Sequence, residues 1–100
     1  MNRGIDHSVT LRQIGYMKHT IGFDRSRVTG RKYPKYTPYR NYFATAENCD
    51  GFQSLVDLTD KGLMLSRQDG SQGWLFHLSK EGMKFLSKIT EVDIQEDQDE

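Results

Sequence analysis

The chain has 100 residues, of which 35% are hydrophobic and 28% are charged, so it has the length of one domain with a small core and no room for a second. It has one cysteine, Cys49, which excludes an internal disulfide and a cysteine-based zinc site. It shows no apolar run near 18 residues and no signal-like leader, and we therefore predict a cytoplasmic protein with no membrane span. The formal net charge of zero conceals a basic first part and an acidic end, because residues 1–42 hold nine Lys or Arg against two acids, whereas residues 91–100 hold six acids and no base.

The first regular element is a helix predicted over residues 11–21. Apolar residues recur there at helical spacing: Leu11, Ile14, Met17 and Ile21. Thr10 precedes them and Gln13 follows it by three residues, which is the spacing of a capping box, and Gly22 supplies a left-handed stop. Residues 1–9 show no periodicity, and we predict that this N-terminal segment is flexible.

A long basic loop is predicted over residues 23–38. This stretch holds two prolines and a glycine and has no sustained hydrophobic period. Connections of this length in small domains are usually functional or mobile. Residues 39–45, which follow it, are rich in aromatic and β-branched side chains, and this composition favours a short strand.

The next elements are a second helix and a β-hairpin. Asp50 stands three residues before Gln53, again with capping-box spacing, and is predicted to begin a helix that ends at Gly62. Two short apolar runs, residues 63–67 and 74–78, flank a turn that contains Asp-Gly. Such a pattern predicts a hairpin with a loop longer than the tightest type.

A last helix and an acidic tail complete the chain. Ser79 is a suitable helix cap, and the apolar stripe behind it consists of Met83, Leu86 and Ile89. Apolar content then falls, and residues 91–100 are predicted to form an acidic, disordered tail. Residues 10–90 are accordingly predicted to form the single domain.

Short sequence steps flank the predicted hairpin: Lys61-Gly62-Leu63 before it, and Leu78-Ser79 with Gly82 after it. With these steps, residues 52–86 resemble the end of a winged-helix domain, in which a helix runs into a two-stranded wing and the wing into a closing helix. The resemblance implies an α+β, winged-helix-like fold with about three helices, a C-terminal β-hairpin as the wing, and a third short strand.

Further motifs extend the resemblance over most of residues 11–86: Lys18-His19-Thr20 with Gly22, Arg40-Asn41 with Phe43, and the step from Lys61 to Met64. With these motifs the chain is similar to small proteins of unknown function that phages and prophages of Gram-positive bacteria encode. One feature departs from a DNA-reading winged helix, which needs two consecutive helices before the wing. Pro34 and Pro38 interrupt the stretch in which the first of those helices would have to lie.

Cations and tyrosines alternate from Arg25 to Tyr42. Cations neutralise phosphates and tyrosine rings stack on bases, so this composition suits nucleic acid, whereas a solvated loop whose tyrosines pack on the domain is the alternative interpretation. The residues predicted to bind nucleic acid or a protein partner are Arg25, Arg27, Arg31, Lys32, Tyr33, Lys35, Tyr36, Tyr39 and Arg40.

Two functional hypotheses follow from this stretch. In the first, the protein binds nucleic acid weakly, with an affinity that falls with salt and rises when residues 91–100 are removed. In the second, the same loop binds a host or phage protein, or a second copy of the chain, and replacing Tyr36 or Tyr39 by Ala abolishes capture of the partner without changing the melting temperature. The sequence holds no phosphate loop, dinucleotide fingerprint or metal motif, so we predict a protein that is not an enzyme and has no cofactor.

Overall fold

The structure is a computed structural model that describes residues 8–95. Within that range the chain forms three α-helices: α1 (Leu11–Thr20), α2 (Phe52–Asp60) and α3 (Lys80–Thr90). It also forms five strands: β1 (Lys35–Tyr36), β2 (Phe43–Ala46), β3 (Met64–Asp69), β4 (Gly73–Leu78) and β5 (Asp93–Ile94). The predicted α+β class and the three helices are confirmed. The predicted flexibility of residues 1–7 and disorder of residues 96–100 concern segments outside the described residues.

Helix α1 begins with the predicted capping box. The Thr10 hydroxyl accepts a hydrogen bond from the Gln13 amide at 3.0 Å, and the Gln13 side-chain oxygen accepts one from the Thr10 amide at 2.9 Å. The side-chain Nε2 of Gln13 also donates a hydrogen bond to the Asp57 carboxylate of α2 at 2.9 Å. This bond, together with one from Lys61, lowers the pKa of Asp57. The cap of α1 therefore also joins α1 to α2.

The start of α2 differs from the prediction. Its N-cap is Gly51, with φ of 88° and no side-chain capping bond, and Asp50 lies one residue outside the cap. The end of the Tyr16 ring occupies the place that a Cβ at Gly51 would fill. Helix α2 therefore begins at a glycine against which Tyr16 of α1 packs. The prediction that Asp50 caps this helix is wrong.

The main sheet has three antiparallel strands in the order β2-β4-β3. Strands β3 and β4 form the predicted hairpin, and β2 pairs with the other edge of β4 so that Phe43 lies opposite Phe76. The short strand predicted within residues 39–45 is therefore present, although it begins at Phe43. The Ser79 hydroxyl accepts from the Gly82 amide at 3.0 Å and caps α3 as predicted.

A second sheet was not predicted from the sequence. Strands β1 and β5 run parallel, and the amides of Asp93 and Gln95 donate to the carbonyls of Pro34 and Tyr36 at 2.9 and 3.1 Å. The loop of residues 23–38 therefore contains a strand, preceded by a 3-10 turn at Arg25–Arg27. Residues 91–95 are ordered, which corrects the prediction of a disordered tail for that part, and the hairpin is not the last β-structure of the chain.

The core lies among the three helices, one face of the main sheet and β5. Val92 and Ile94, at 2% and 5% exposure, belong to it even though acidic residues surround them in sequence. The buried apolar residues are Met17, Ile21, Tyr36, Leu55, Leu58, Leu63, Met64, Phe76, Leu78, Met83, Leu86, Val92 and Ile94.

The segment between β1 and β2 is attached to the end of α1 and to β4. One Arg40 guanidinium nitrogen donates to the His19 carbonyl at 2.6 Å, and the Tyr42 amide donates to the Thr20 carbonyl at 3.0 Å. The Asn41 side chain accepts from the Leu78 amide at 2.7 Å and donates to the Leu78 carbonyl at 3.1 Å, as a neighbouring strand would. The motif residues at 18–22 and 40–43 therefore meet in the fold, where they hold this segment in place.

Candidate functional site

Two guanidinium groups lie close to the ring of Tyr39. The Arg27 Cζ is 5.4 Å and the Arg40 Cζ 5.5 Å from the centre of the Tyr39 ring. The edge of the ring rests on Gly22, whose φ of 63° and missing Cβ permit this close approach. Even so, 62% of the Tyr39 surface is exposed. The arrangement presents an aromatic ring flanked by positive charge to solvent.

The two guanidinium groups differ in how firmly they are held. The half-buried Arg40 side chain is fixed by its bond to the His19 carbonyl, and its buried Nε has no hydrogen-bond partner among the described residues. Arg27 is exposed and lies 4.0 Å from the Asp24 carboxylate. Hydrogen bonds from the side chain and then the amide of Ser26 hold the pKa of Asp24 below its usual value, so this carboxylate stays charged and partly offsets Arg27.

A second group of cations lies on the turn before β1. The Thr29 and Lys35 backbones exchange two hydrogen bonds, of 2.9 and 2.8 Å. These bonds close a turn that carries Arg31, Lys32 and Tyr33, all of them exposed. The Lys32 ammonium is 5.9 Å from the centre of the Tyr33 ring, and 74% of the Tyr33 surface is exposed. The turn repeats the combination of cation and exposed ring seen at Tyr39.

We call these two groups together the basic tyrosine surface, in which every side chain is exposed except the half-buried Arg40. It consists of seven of the nine residues predicted from the sequence: Arg27, Arg31, Lys32, Tyr33, Lys35, Tyr39 and Arg40.

Tyr36 and Arg25 have structural roles instead. Tyr36 is 3% exposed, its hydroxyl donates to the Gly22 carbonyl at 2.5 Å, and its ring packs on Phe23. Burial raises the pKa of this hydroxyl, and the nearby Tyr39 adds to the effect. Arg25 donates to the Thr90 carbonyl at 3.2 Å, at the end of α3. The placement of Tyr36 in a binding surface is thereby corrected, because the side chain belongs to the core.

Sequence reasoning missed a groove beside this surface. Five residues line it, and none of them is acidic: Arg12, Gly15, Tyr16, His19 and Phe43. The groove has a volume of about 490 Å³, within the range of about 300–1,000 Å³ found for small-ligand clefts. Its lining comes from one face of α1 and from β2, which only the tertiary structure brings together. The one sequence feature that could have indicated the groove is Gly15, a glycine in the middle of a predicted helix.

Among residues 8–95, no group of three or more His, Cys, Asp and Glu side chains is placed to hold a metal ion. None of the helices within residues 8–95 is long and apolar enough to cross a membrane.

No protein-family model, curated protein or solved structure matches this chain.

Proposed function

We propose that the protein binds single-stranded nucleic acid, weakly and without sequence preference, through the basic tyrosine surface. The observation that carries the proposal is the exposed Tyr39 ring with the Arg27 and Arg40 guanidiniums close to it. Bases of a single strand are free to stack on such a ring, and the cations beside it neutralise the phosphates. No catalytic group or cofactor is needed for this function.

The charges of the surface account for weak binding. Its five cations are opposed by Asp24, which lies 4.0 Å from Arg27, and by Asp93, which pairs in register with Lys35. Each phosphate that a cation neutralises on a single strand contributes about 0.7 to the slope of log affinity against log salt. A slope between about −2 and −3.5 is therefore expected.

Reading of a duplex groove has less support. We take the scaffold to be winged-helix-like, as the resemblance implies, yet α2 alone stands between β2 and β3, where a DNA reader has two helices. Lys61, which directly follows α2, is paired with Asp57 at 2.9 Å. The exposed Asp60 adds a charge that repels phosphate.

Neutralising the turn cations tests the electrostatic part of the proposal. The triple variant Arg31→Gln, Lys32→Gln, Lys35→Gln is expected to bind a fluorescent oligo-dT with a salt slope shallower by about 2, because three phosphate contacts are lost. Anisotropy titrations between about 50 and 200 mM salt measure the slope. The matched control removes the same charge from exposed sites on α3, as Lys80→Gln, Lys84→Gln, Lys88→Gln, and should leave the slope almost unchanged.

Removing the Tyr39 ring tests the part of the proposal that concerns base stacking. Tyr39→Ala is expected to lower the affinity for oligo-dT about tenfold, because stacking of one base contributes about 1–3 kcal/mol, while the salt slope stays the same since no cation is lost. Salt-insensitive binding by the unaltered protein, or no binding to single strands at low salt, would show that the proposal is wrong.

The alternative function is a protein-interaction module, and three exposed tyrosines favour it. Tyr33, Tyr39 and Tyr42 are 74%, 62% and 53% exposed, and tyrosine is among the residues that anchor protein interfaces. If this surface mediates self-association, light scattering should show a dimer that Tyr39→Ala converts to a monomer at an unchanged melting temperature. Tyr36→Ala does not suit this test, because Tyr36 is part of the core and its loss would lower the melting temperature.

A further inference from the structure

Gly15 occupies the middle of α1 without a structural reason for being glycine. Its φ is not positive, and a Cβ built on it meets nothing within 4 Å. Glycine at such a position destabilises a helix by comparison with alanine. By contrast, Gly22, Gly51 and Gly82 each lie where a Cβ would meet a neighbouring atom. The fold therefore does not require Gly15, and its effect is to leave the groove above it open.

Aromatic rings held in place by their neighbours form the wall of this groove. The Tyr16 and Phe43 ring centres are 5.7 Å apart at an interplanar angle of 90°, and the His19 and Phe43 ring centres are 5.1 Å apart. The Tyr16 hydroxyl accepts a hydrogen bond from Arg12 at 2.9 Å, and its ring end fits against Gly51. The groove is thus shallow and open, its walls are mostly aromatic, and no side chain rises from Gly15 at its base.

The charge around the groove is positive, and the groove adjoins the basic tyrosine surface. Arg12 stands at one end, and His19 at the other end is joined through its carbonyl to Arg40. Arg40 in turn flanks Tyr39. No carboxylate is among the residues that line the groove. A polyanion that enters the groove from Arg40 would therefore meet no negative charge among the residues that line it.

We propose that the groove above Gly15 receives one base of the bound single strand, while the adjoining phosphates lie against Arg12 and Arg40. The flat, apolar faces of a base suit a groove lined by aromatic side chains and open above Gly15, and its attached phosphates suit Arg12 in the groove and Arg40 beside His19. This inference rests on the proposed function and specifies where one of the stacked bases is held.

Two variants of the same residue test the proposal. Gly15→Ala and Gly15→Gln both replace glycine by a better helix former, so both should raise the melting temperature by about 4–8 °C. Ala adds one carbon to open space and should change the affinity for oligo-dT by less than about twofold, whereas the longer Gln side chain occupies the groove and should lower it about tenfold. A gain in thermal stability combined with a loss of binding is not expected from a purely structural residue.

An abasic oligonucleotide of the same length separates the base from the phosphates. The unaltered protein and Gly15→Gln should bind it equally, because it has no base for the groove. Equal affinity of all three proteins for oligo-dT would overturn this inference and leave the proposed function standing, and an equal loss of abasic binding in Gly15→Gln would also overturn it. If the unaltered protein binds neither oligo-dT nor the abasic oligonucleotide, the proposed function is wrong, and this inference with it.

Discussion

Removing residues 91–100 is expected to unfold the protein, whereas removing residues 96–100 alone should leave it folded. The longer deletion takes away Val92 and Ile94, at 2% and 5% exposure, and the burial of each such side chain contributes about 1.5–3 kcal/mol. It also removes the strand that pairs with Lys35–Tyr36. A loss of roughly 3–6 kcal/mol would consume most of the stability of a domain with a small core, which we expect near the low end of the usual range of about 5–15 kcal/mol.

Urea denaturation followed by the fluorescence of Trp74 measures this effect. The deletion of residues 96–100 is the matched control, because it removes four acids but none of the described residues. A cooperative transition with an unchanged midpoint in the longer deletion would contradict the role of β5. The deletion of residues 96–100 also tests whether the acidic end competes with nucleic acid for the basic tyrosine surface. Only the shorter deletion is informative there, since the longer one would alter binding by unfolding the chain.

Gly82→Ala is expected to destabilise the protein by about 3 kcal/mol, at the upper end of the usual effect of overpacking. A Cβ at Gly82 would overlap the Leu63 carbonyl oxygen and lie 3.0 Å from Leu78 Cγ. The carbonyl is backbone that already accepts a bond from the Ser79 amide at 3.1 Å, so it cannot turn aside as a flexible side chain would. Helix α3 would have to move away from the start of the hairpin.

Gly15→Ala is the control for this second prediction, because the chemical change is the same and the site is again helical. Helix propensity alone predicts a gain of about 1 kcal/mol at both sites. The expected midpoints in urea therefore shift in opposite directions, upward for Gly15→Ala and downward for Gly82→Ala. A gain in stability from Gly82→Ala would mean that α3 does not pack closely on Leu63.

Local signals in the sequence predicted the elements that depend on neighbouring residues. The Thr10 and Gln13 capping box and the Ser79 cap form within three residues, and the hairpin strands pair across a short turn. Seven of the nine predicted site residues belong to the basic tyrosine surface because a polar, proline-containing loop seldom becomes buried as a whole. Of the other two, Arg25 is exposed but donates to the Thr90 carbonyl, whereas Tyr36 is buried and lies on the strand that pairs with β5, more than fifty residues away.

The acidic end shows most clearly what each level of structure decides. In sequence, residues 91–100 carry six acids and few apolar residues, which is the composition of a disordered segment. Val92 and Ile94 become core only through contacts that the local sequence does not contain, namely parallel pairing with Lys35–Tyr36 and a hydrogen bond from the Ile94 amide to Ser87 of α3. The physical reason is that caps and turns gain their free energy from adjacent residues, whereas burial of an isolated apolar pair is favourable only when distant elements already provide the surface.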